Sequence, residues 1–472
     1  MPTSGVAEGR NSGNINLANS PLNTLQPATN MLVRPLSGFI VLIAVAALLI
    51  QPIQTRAADS PILSGTISSV LKNGLKVIVR EQHGAPLVAI DLWVRAGSGQ
   101  EGQKESGVAH FIEHLIFKGT PSRKPGEIDA SFEDLGASLG AGTTRDGAHF
   151  FATVPSQYLG HALEVLSDAL QHATFDSSEM EKERAVILDE LARGRNDWRK
   201  EMADTLRGAL YPSSPFGRPI LGEPASIKEI SRDRVLAFFR RYYSPNNASI
   251  VLVGDVSQNE ALQAVDKAFG SWEKGIPQVN TLPAASPQKV EHAADGEFAA
   301  CGITFPGPDG ADAPAVCAAD ILSVILGDPQ RGRLSPALKG LCAAGNSGAD
   351  FATLSRQTTF NLYSRPISPS QIEAVRQRME AEVQKLRGSP VSEEELDYAK
   401  RRLLGGYLFD IETYAGQARM LGITEMASGY SAALSYFDNV RKIRPKDLQS
   451  FAQIYLVTVR EAVAIIKPKE VN

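Results

Sequence analysis

Residues 110–114 read His-Phe-Ile-Glu-His, and no other stretch of the 472-residue chain narrows its architecture as far. In a helix, His110 and His114 stand one turn apart on one face, where both imidazoles reach a single metal ion. Glu113 projects beside them. Two imidazoles with a carboxylate able to take a proton from water form the core of a zinc hydrolase site. The order, H-x-x-E-H, is the inverse of the commoner H-E-x-x-H. Such a core is incomplete, because a catalytic zinc usually has three protein ligands, so the fold has to bring a third from elsewhere.

The rest of the chain supplies an ordinary globular scaffold. Its 43% hydrophobic and 21% charged residues provide mass for two domains of roughly 200 residues each. A net charge of −4 gives no reason to expect nucleic acid or an anionic membrane surface as partner. Cys301, Cys317 and Cys342 match no zinc knuckle; one disulfide stays open in an oxidising compartment.

Residues 1–30 are polar and are read as a disordered tail or an extension ahead of the true start at Met31. Met31-Leu-Val-Arg34, an apolar run from Leu36 to Ile50 and Thr55-Arg-Ala57-Ala58 then read as a signal peptide over 31–57, cleaved after Ala57. The mature protein is expected in the periplasm or secreted. The alternative is an uncleaved inner-membrane anchor holding the body on the periplasmic side.

Alternation of apolar residues predicts a strand over 71–79, further strands are read over 87–94 and 148–154, and the apolar run 248–254 reads as a buried strand. Helical periodicity covers 107–117, 158–173 and 178–195. Strands and helices alternate in groups without a strict βαβ rhythm, which predicts an α+β fold: two similar domains, each a largely antiparallel sheet with helices packed on it, facing across a cleft. Residues 60–273 form the zinc-bearing domain, the Pro-rich stretch 274–289 a linker, and 290–468 a second domain of similar succession.

The third ligand is sought in Met180-Glu-Lys-Glu183-Arg-Ala-Val-Ile-Leu-Asp-Glu190, where Glu183 and Glu190 lie two helical turns apart on a shared face. Val186 and Ile187 fall between them, as on a helix packed into a core. The paired histidines followed by these two carboxylates resemble the pitrilysin (insulinase) family of zinc metallopeptidases, in its processing-peptidase-like branch. The likeness covers about 60–465 and includes Asn73-Gly74-Leu75, Gly97-Ser98, Gly107-Val-Ala-His110, Phe117-Lys-Gly-Thr120, Phe216-Gly-Arg218-Pro219, Gly222 and Tyr243-Ser-Pro-Asn246-Asn247. The resemblance implies Zn2+ held by His110, His114 and Glu190, with Glu113 as general base and Glu183 supporting the site. It also implies an extended peptide substrate. The remaining histidines (His83, His149, His161, His172, His292) are read as surface or packing residues.

Two departures from the family pattern stand out. Where the resemblance implies an Asn-Ala pair on a substrate-holding edge strand, this chain has Gly140-Ala141. Where it implies an Arg and, seven residues on, a Tyr reaching the substrate carbonyl, this chain has Lys339 and Asn346, neither of which reproduces those donors. The expectation is therefore a homologous partner subunit that supplies the Arg/Tyr pair. The alternatives are a homodimer, or an offset that makes Arg333 and Tyr363 the pair. The rival class is a non-catalytic binding or assembly subunit of the same fold.

Overall fold

Two mixed sheets organise the chain in its computed structural model, which describes residues 62–194, 197–278, 281–294 and 298–468. The expected extension (1–30) and signal segment (31–57) lie outside the described residues. The first sheet holds β1 (Thr66–Val70), β2 (Lys76–Glu81), β3 (Leu87–Val94), β4 (Ser138–Thr143), β5 (Ala148–Pro155) and β6 (Ala248–Gly254), in the order β1-β2-β6-β3-β5-β4. The second holds β7 (Lys289–Ala294), β8 (Ala300–Pro306), β9 (Cys342–Phe351), β10 (Thr359–Pro366) and β11 (Ala462–Pro468), in the order β7-β11-β8-β10-β9. With β1 set aside, both sheets obey one rule: first strand, last, second, fourth, third. The first–last pair is parallel in each, and the other neighbours run antiparallel.

The strand expected from Leu71 starts later. Lys72-Asn73-Gly74 is the turn of a β1–β2 hairpin, with Gly74 at a φ of 91° and the Asn73 side chain accepting from the Leu75 amide at 3.1 Å.

The helices repeat the pattern. In the first half, α1 (Val108–Leu115) and α2 (Glu127–Glu133) join β3 to β4. Then α3 (Leu159–His172), α4 (Ser177–Gly194), α5 (Trp198–Leu210), α6 (Pro224–Glu229) and α7 (Arg232–Tyr242) join β5 to β6, and α8 (Gln258–Phe269) follows. In the second half, α9 (Ala313–Gly327) and α10 (Leu334–Ala337) join β8 to β9. The series α11 (Ile372–Gly388), α12 (Glu393–Asp410), α13 (Tyr414–Ala427), α14 (Ser431–Lys442) and α15 (Pro445–Tyr455) joins β10 to β11. Each half thus places two helices before its third strand and five before its last.

Chain halves and packed lobes do not coincide. The third helix of each five crosses over: α5 lays Trp198, Met202 and Leu206 on Ala300, Ala464 and Ile466 of the second sheet. Reciprocally, α13 lays Ala418 and Leu421 on Ile78, Ala89, Val251 and Val253 of the first. Both crossings are close enough to require a missing side chain. A Cβ on Gly422 of α13 would stand 2.0 Å from Nε1 of the buried Trp93, and one on Gly302 of β8 would stand 2.8 Å from Leu206 Cδ1. Polar ties lock the same seams. Lys76 Nζ meets the Glu425 carboxylate at 2.8 Å, while Arg207 donates to Gln357 O at 2.9 Å and Thr359 Oγ1 at 2.7 Å. Residues 281–288 have no regular structure, and the Ser286 and Gln288 amides donate to the last carbonyls of α5.

Candidate metal centre and active site

Helix α1 is short, apolar on most of its surface and anchored at its start. Gly107 adopts a φ of 90° at the N-cap, and a Cβ there would stand 2.5 Å from Ile227 Cδ1, so only glycine fits. The orphan amides of the first turn are met from outside: Gly107 N and Ala109 N donate to the buried Glu101 carboxyl at 3.0–3.1 Å. Phe111, Ile112 and Leu115 lock the helix into the core, leaving His110, Glu113 and His114 on the face toward α4 and β4.

Glu190 comes to that face from α4. Its Oε2 lies 3.6 Å from His110 Nε2 and 3.7 Å from His114 Nε2, and one donor atom from each residue falls within 4.8 Å of the others. A tetrahedral zinc with bonds of about 2.0–2.1 Å spaces its ligand atoms roughly 3.4 Å apart, and the Glu190 oxygen stands within a few tenths of an ångström of that spacing from each imidazole nitrogen. Burial, with the charges of His114 and Lys200 adding to it, pushes the His110 imidazole down to about 3, which keeps it in the neutral form a metal requires. Its Nδ1 is buried without a hydrogen-bond partner.

Glu183 occupies the place expected of a supporting carboxylate. His114 Nδ1 and Glu183 Oε2 are 3.0 Å apart, and Lys118 Nζ meets the other oxygen at 2.9 Å. Burial works against charge on this carboxyl, yet the hydrogen bonds from His114 and Lys118 outweigh it and hold Glu183 below its ordinary range. The contact fixes the His114 ring and its tautomer, leaving Nε2 for the metal. Ile187 is buried between the two carboxylates as expected, but Val186 is not: it is 45% exposed at the outer margin of the 183–187–190 stripe that faces α1.

Glu113 accepts a hydrogen bond from Thr143 Oγ1 at 2.6 Å. Burial raises its affinity for a proton, against Thr143 and the charges of His114 and His149 and with that of Glu190, moving the carboxyl toward the range useful for a general base. Thr143 and Lys118 carry no spacing signal, and the sequence assigned neither a role.

Gly140 and Ala141 sit on β4, the edge strand of the first sheet, whose last residue is Thr143. The Gly140 departure has a local cause: a Cβ there would stand 2.5 Å from the Phe151 ring on the paired strand. An asparagine would have to displace that ring, which stacks on His149; His149 in turn stacks on Trp93 and bonds Asp91 at 2.9 Å. In the second half, Lys339 is exposed and Asn346 lies on edge strand β9. Arg333 is bound to Glu395 at 2.7 Å, and the Tyr363 ring packs on Trp198 and over Gly348. All three cysteines are free.

Two histidines and a glutamate around one point, with a second glutamate one residue from a ligand, define the donor set of a zinc hydrolase. The profile for insulinase (peptidase family M16) matches residues 76–224, and that for the peptidase M16 inactive domain matches 229–403. The chain belongs to the insulinase family of peptidases. An uncharacterized zinc protease of Rickettsia felis is 26% identical over 86% of this chain and 98% of its own. The mitochondrial-processing peptidase subunit beta of Rattus norvegicus is 34% identical over 46% of this chain; the match spans under half, 44%, of that subunit. In fold, a protease from Helicobacter pylori superposes with a TM-score of 0.77 over 85% of this chain and 99% of its own, at 22% identity.

Proposed function

We propose that the chain is a zinc-dependent endopeptidase that cuts peptides or unfolded segments outside the cytoplasm, and that a homologous subunit completes its active site. The observation that carries the reading is the convergence of His110, His114 and Glu190 beside Glu113. Zinc held by that trio would polarise the scissile carbonyl and acidify water. Glu113, steadied by Thr143, takes the proton from the attacking water and returns it to the leaving amine. Glu183 orients His114. The free edge of β4 pairs an extended substrate backbone in line with Thr143 and hence with Glu113, so recognition rests on main-chain hydrogen bonds rather than a strict side-chain code.

The need for a partner rests on Lys339 and Asn346, which offer neither a planar fork nor a phenol to the substrate oxygen, and on Arg333 being tied to Glu395. Export rests on the sequence of residues 31–58; no helix of the described residues is long and apolar enough to cross a membrane.

The test is metal analysis together with cleavage of a quenched peptide library. About one zinc per chain is expected, with turnover abolished by chelator and restored by zinc. Turnover should rise when a homologue carrying Arg and Tyr seven residues apart is added. Absence of bound zinc would leave the non-catalytic scaffold as the reading, and full activity of the chain by itself would remove the partner.

A further inference from the structure

The place that holds the metal ligands in the first lobe has a counterpart in the second. There α1 meets α4; here their positional equivalents, α9 and α12, meet, and a cavity of about 660 Å³ opens between them, walled also by α13 and α14. The volume falls within the roughly 300–1,000 Å³ of small-molecule sites. Its walls are predominantly apolar, with Val324, Met420 and Ile423 among them.

Four charged side chains border that space: Arg402 is exposed and paired with Asp328 at 3.4 Å, Asp410 is exposed, and Asp320 is the fourth. Asp320 of α9 is enclosed by protein, yet its residue keeps partial exposure, as a cavity wall does. Tyr436 donates to its Oδ2 at 2.7 Å, and no Lys or Arg is paired with it among the described residues. Tyr407 stacks on Tyr436 with ring centres 5.1 Å apart, so two phenol rings stand beside the carboxyl. Burial pushes Asp320 up to about 7, the behaviour of an acid that lacks a cation. Cys317 also lines the space, but burial pushes its thiol up to about 12, and one carboxylate with one protonated thiol is too small a donor set for a metal.

We propose that this cavity binds an amphiphilic amine, its ammonium group against Asp320 and the Tyr436 ring and its apolar body along Val324, Met420 and Ile423. A buried carboxyl gains most from a cation that arrives already paired with an apolar tail, since the tail replaces water on the walls while the charge is matched. The neighbouring aromatic faces favour that same cation.

Titration calorimetry of the full chain with n-decylamine and with n-decanol separates the charge from the tail. Decylamine should occupy one site at least tenfold more tightly than decanol. Asp320→Asn keeps an acceptor for Tyr436 and removes the charge, so its decylamine affinity should fall to the decanol level while decanol is unaffected. Should that variant fail to fold, Ile423→Trp, at a position 36% exposed, fills the cavity rim and should abolish binding of both probes. Equal affinity for the two probes, decylamine binding unchanged in Asp320→Asn, or multiple binding events undiminished in Ile423→Trp would overturn the proposal. No peptide is present in these measurements, so the result leaves the peptidase reading where it stands.

Discussion

The contact of α1 with α4 carries His110, Glu113, His114, Glu183 and Glu190, whereas the equivalent contact of α9 with α12 carries a predominantly apolar cavity bordered by Asp320, Asp328, Arg402 and Asp410. Both contacts arise from the same strand order and the same succession of helices. The backbone therefore supplies a seam between two helices at one end of each sheet, and the side chains decide whether that seam does chemistry. Helix length is part of the decision. The eight residues of α1 end soon after His114, leaving its polar face open, while the fifteen of α9 run deep and are apolar on nearly all sides.

The largest expected effect breaks the first lobe alone. Glu113→Gln keeps the size of the side chain and a partner for Thr143 but removes the base. Turnover should fall by about 10²–10⁴-fold with zinc content unchanged. Peptide cleavage and metal analysis on the same preparation check this; a normal rate would move the base elsewhere.

The next test asks whether the lobes stabilise each other as their crossed helices suggest. Leu206 of α5 is fully buried against the second sheet, and Leu206→Ala should cost about 2–5 kcal/mol. Gly422→Ala forces a methyl onto Trp93 under α13 and should cost about 1–3 kcal/mol. Denaturant unfolding measures both. A loss confined to one variant would mean that only one crossing holds the lobes together.

This exchange was not legible in the sequence, although much else was. Sequence pattern located β3, β5, β6, α1, α3 and α4 to within a residue or two. Apolar periodicity marked the helices, while β3 and β6, buried along nearly their whole length, read as apolar runs bounded by turn residues. Spacing put His110 with His114, and Glu183 with Glu190, on shared helix faces, while the roles of the two carboxylates came from the family resemblance. Amphipathicity says that a face is buried but not against which sheet, so nothing in Trp198–Leu210 or Tyr414–Ala427 announced that each belongs to the other lobe. Thr143 and Lys118 escaped because a hydroxyl or an ammonium gains its role only when the chain brings it beside Glu113 or Glu183. Glu101 escaped because it caps α1 from six residues before Gly107, outside any local capping pattern.

A smaller effect separates ligands from the residues that hold them. Glu183→Ala leaves His110, His114 and Glu190 in place and removes the group that orients the His114 ring. Zinc affinity, measured by competition with a chelator, should drop about 10–100-fold. An unchanged affinity would show that packing alone sets the ring.

The smallest effect compares one buried carboxyl in each lobe. Burial pushes Glu101 up from 4.5 to about 8, against the hydrogen bonds from Ala109 and Gly107 and the charge of Arg218. It pushes Asp320 up from 3.8 to about 7, against the Tyr436 hydrogen bond. Each folded form binds its proton more tightly than the unfolded chain, so the stabilising contribution is full below the lower value and is lost as pH rises through the upper one. The melting temperature of the wild type should therefore decline toward pH 8. Glu101→Gln and Asp320→Asn replace each acid with its neutral shape, and each should flatten part of that decline, with the Asp320 part complete about one pH unit earlier. Differences of a few degrees are expected, since about 1 kcal/mol moves the midpoint of a domain this size by roughly 2–4 °C. Curves that stay parallel to the wild type across pH 5–9 would show that neither lobe carries an uncompensated acid, and would remove the electrostatic reason for a cation in the α9–α12 cavity.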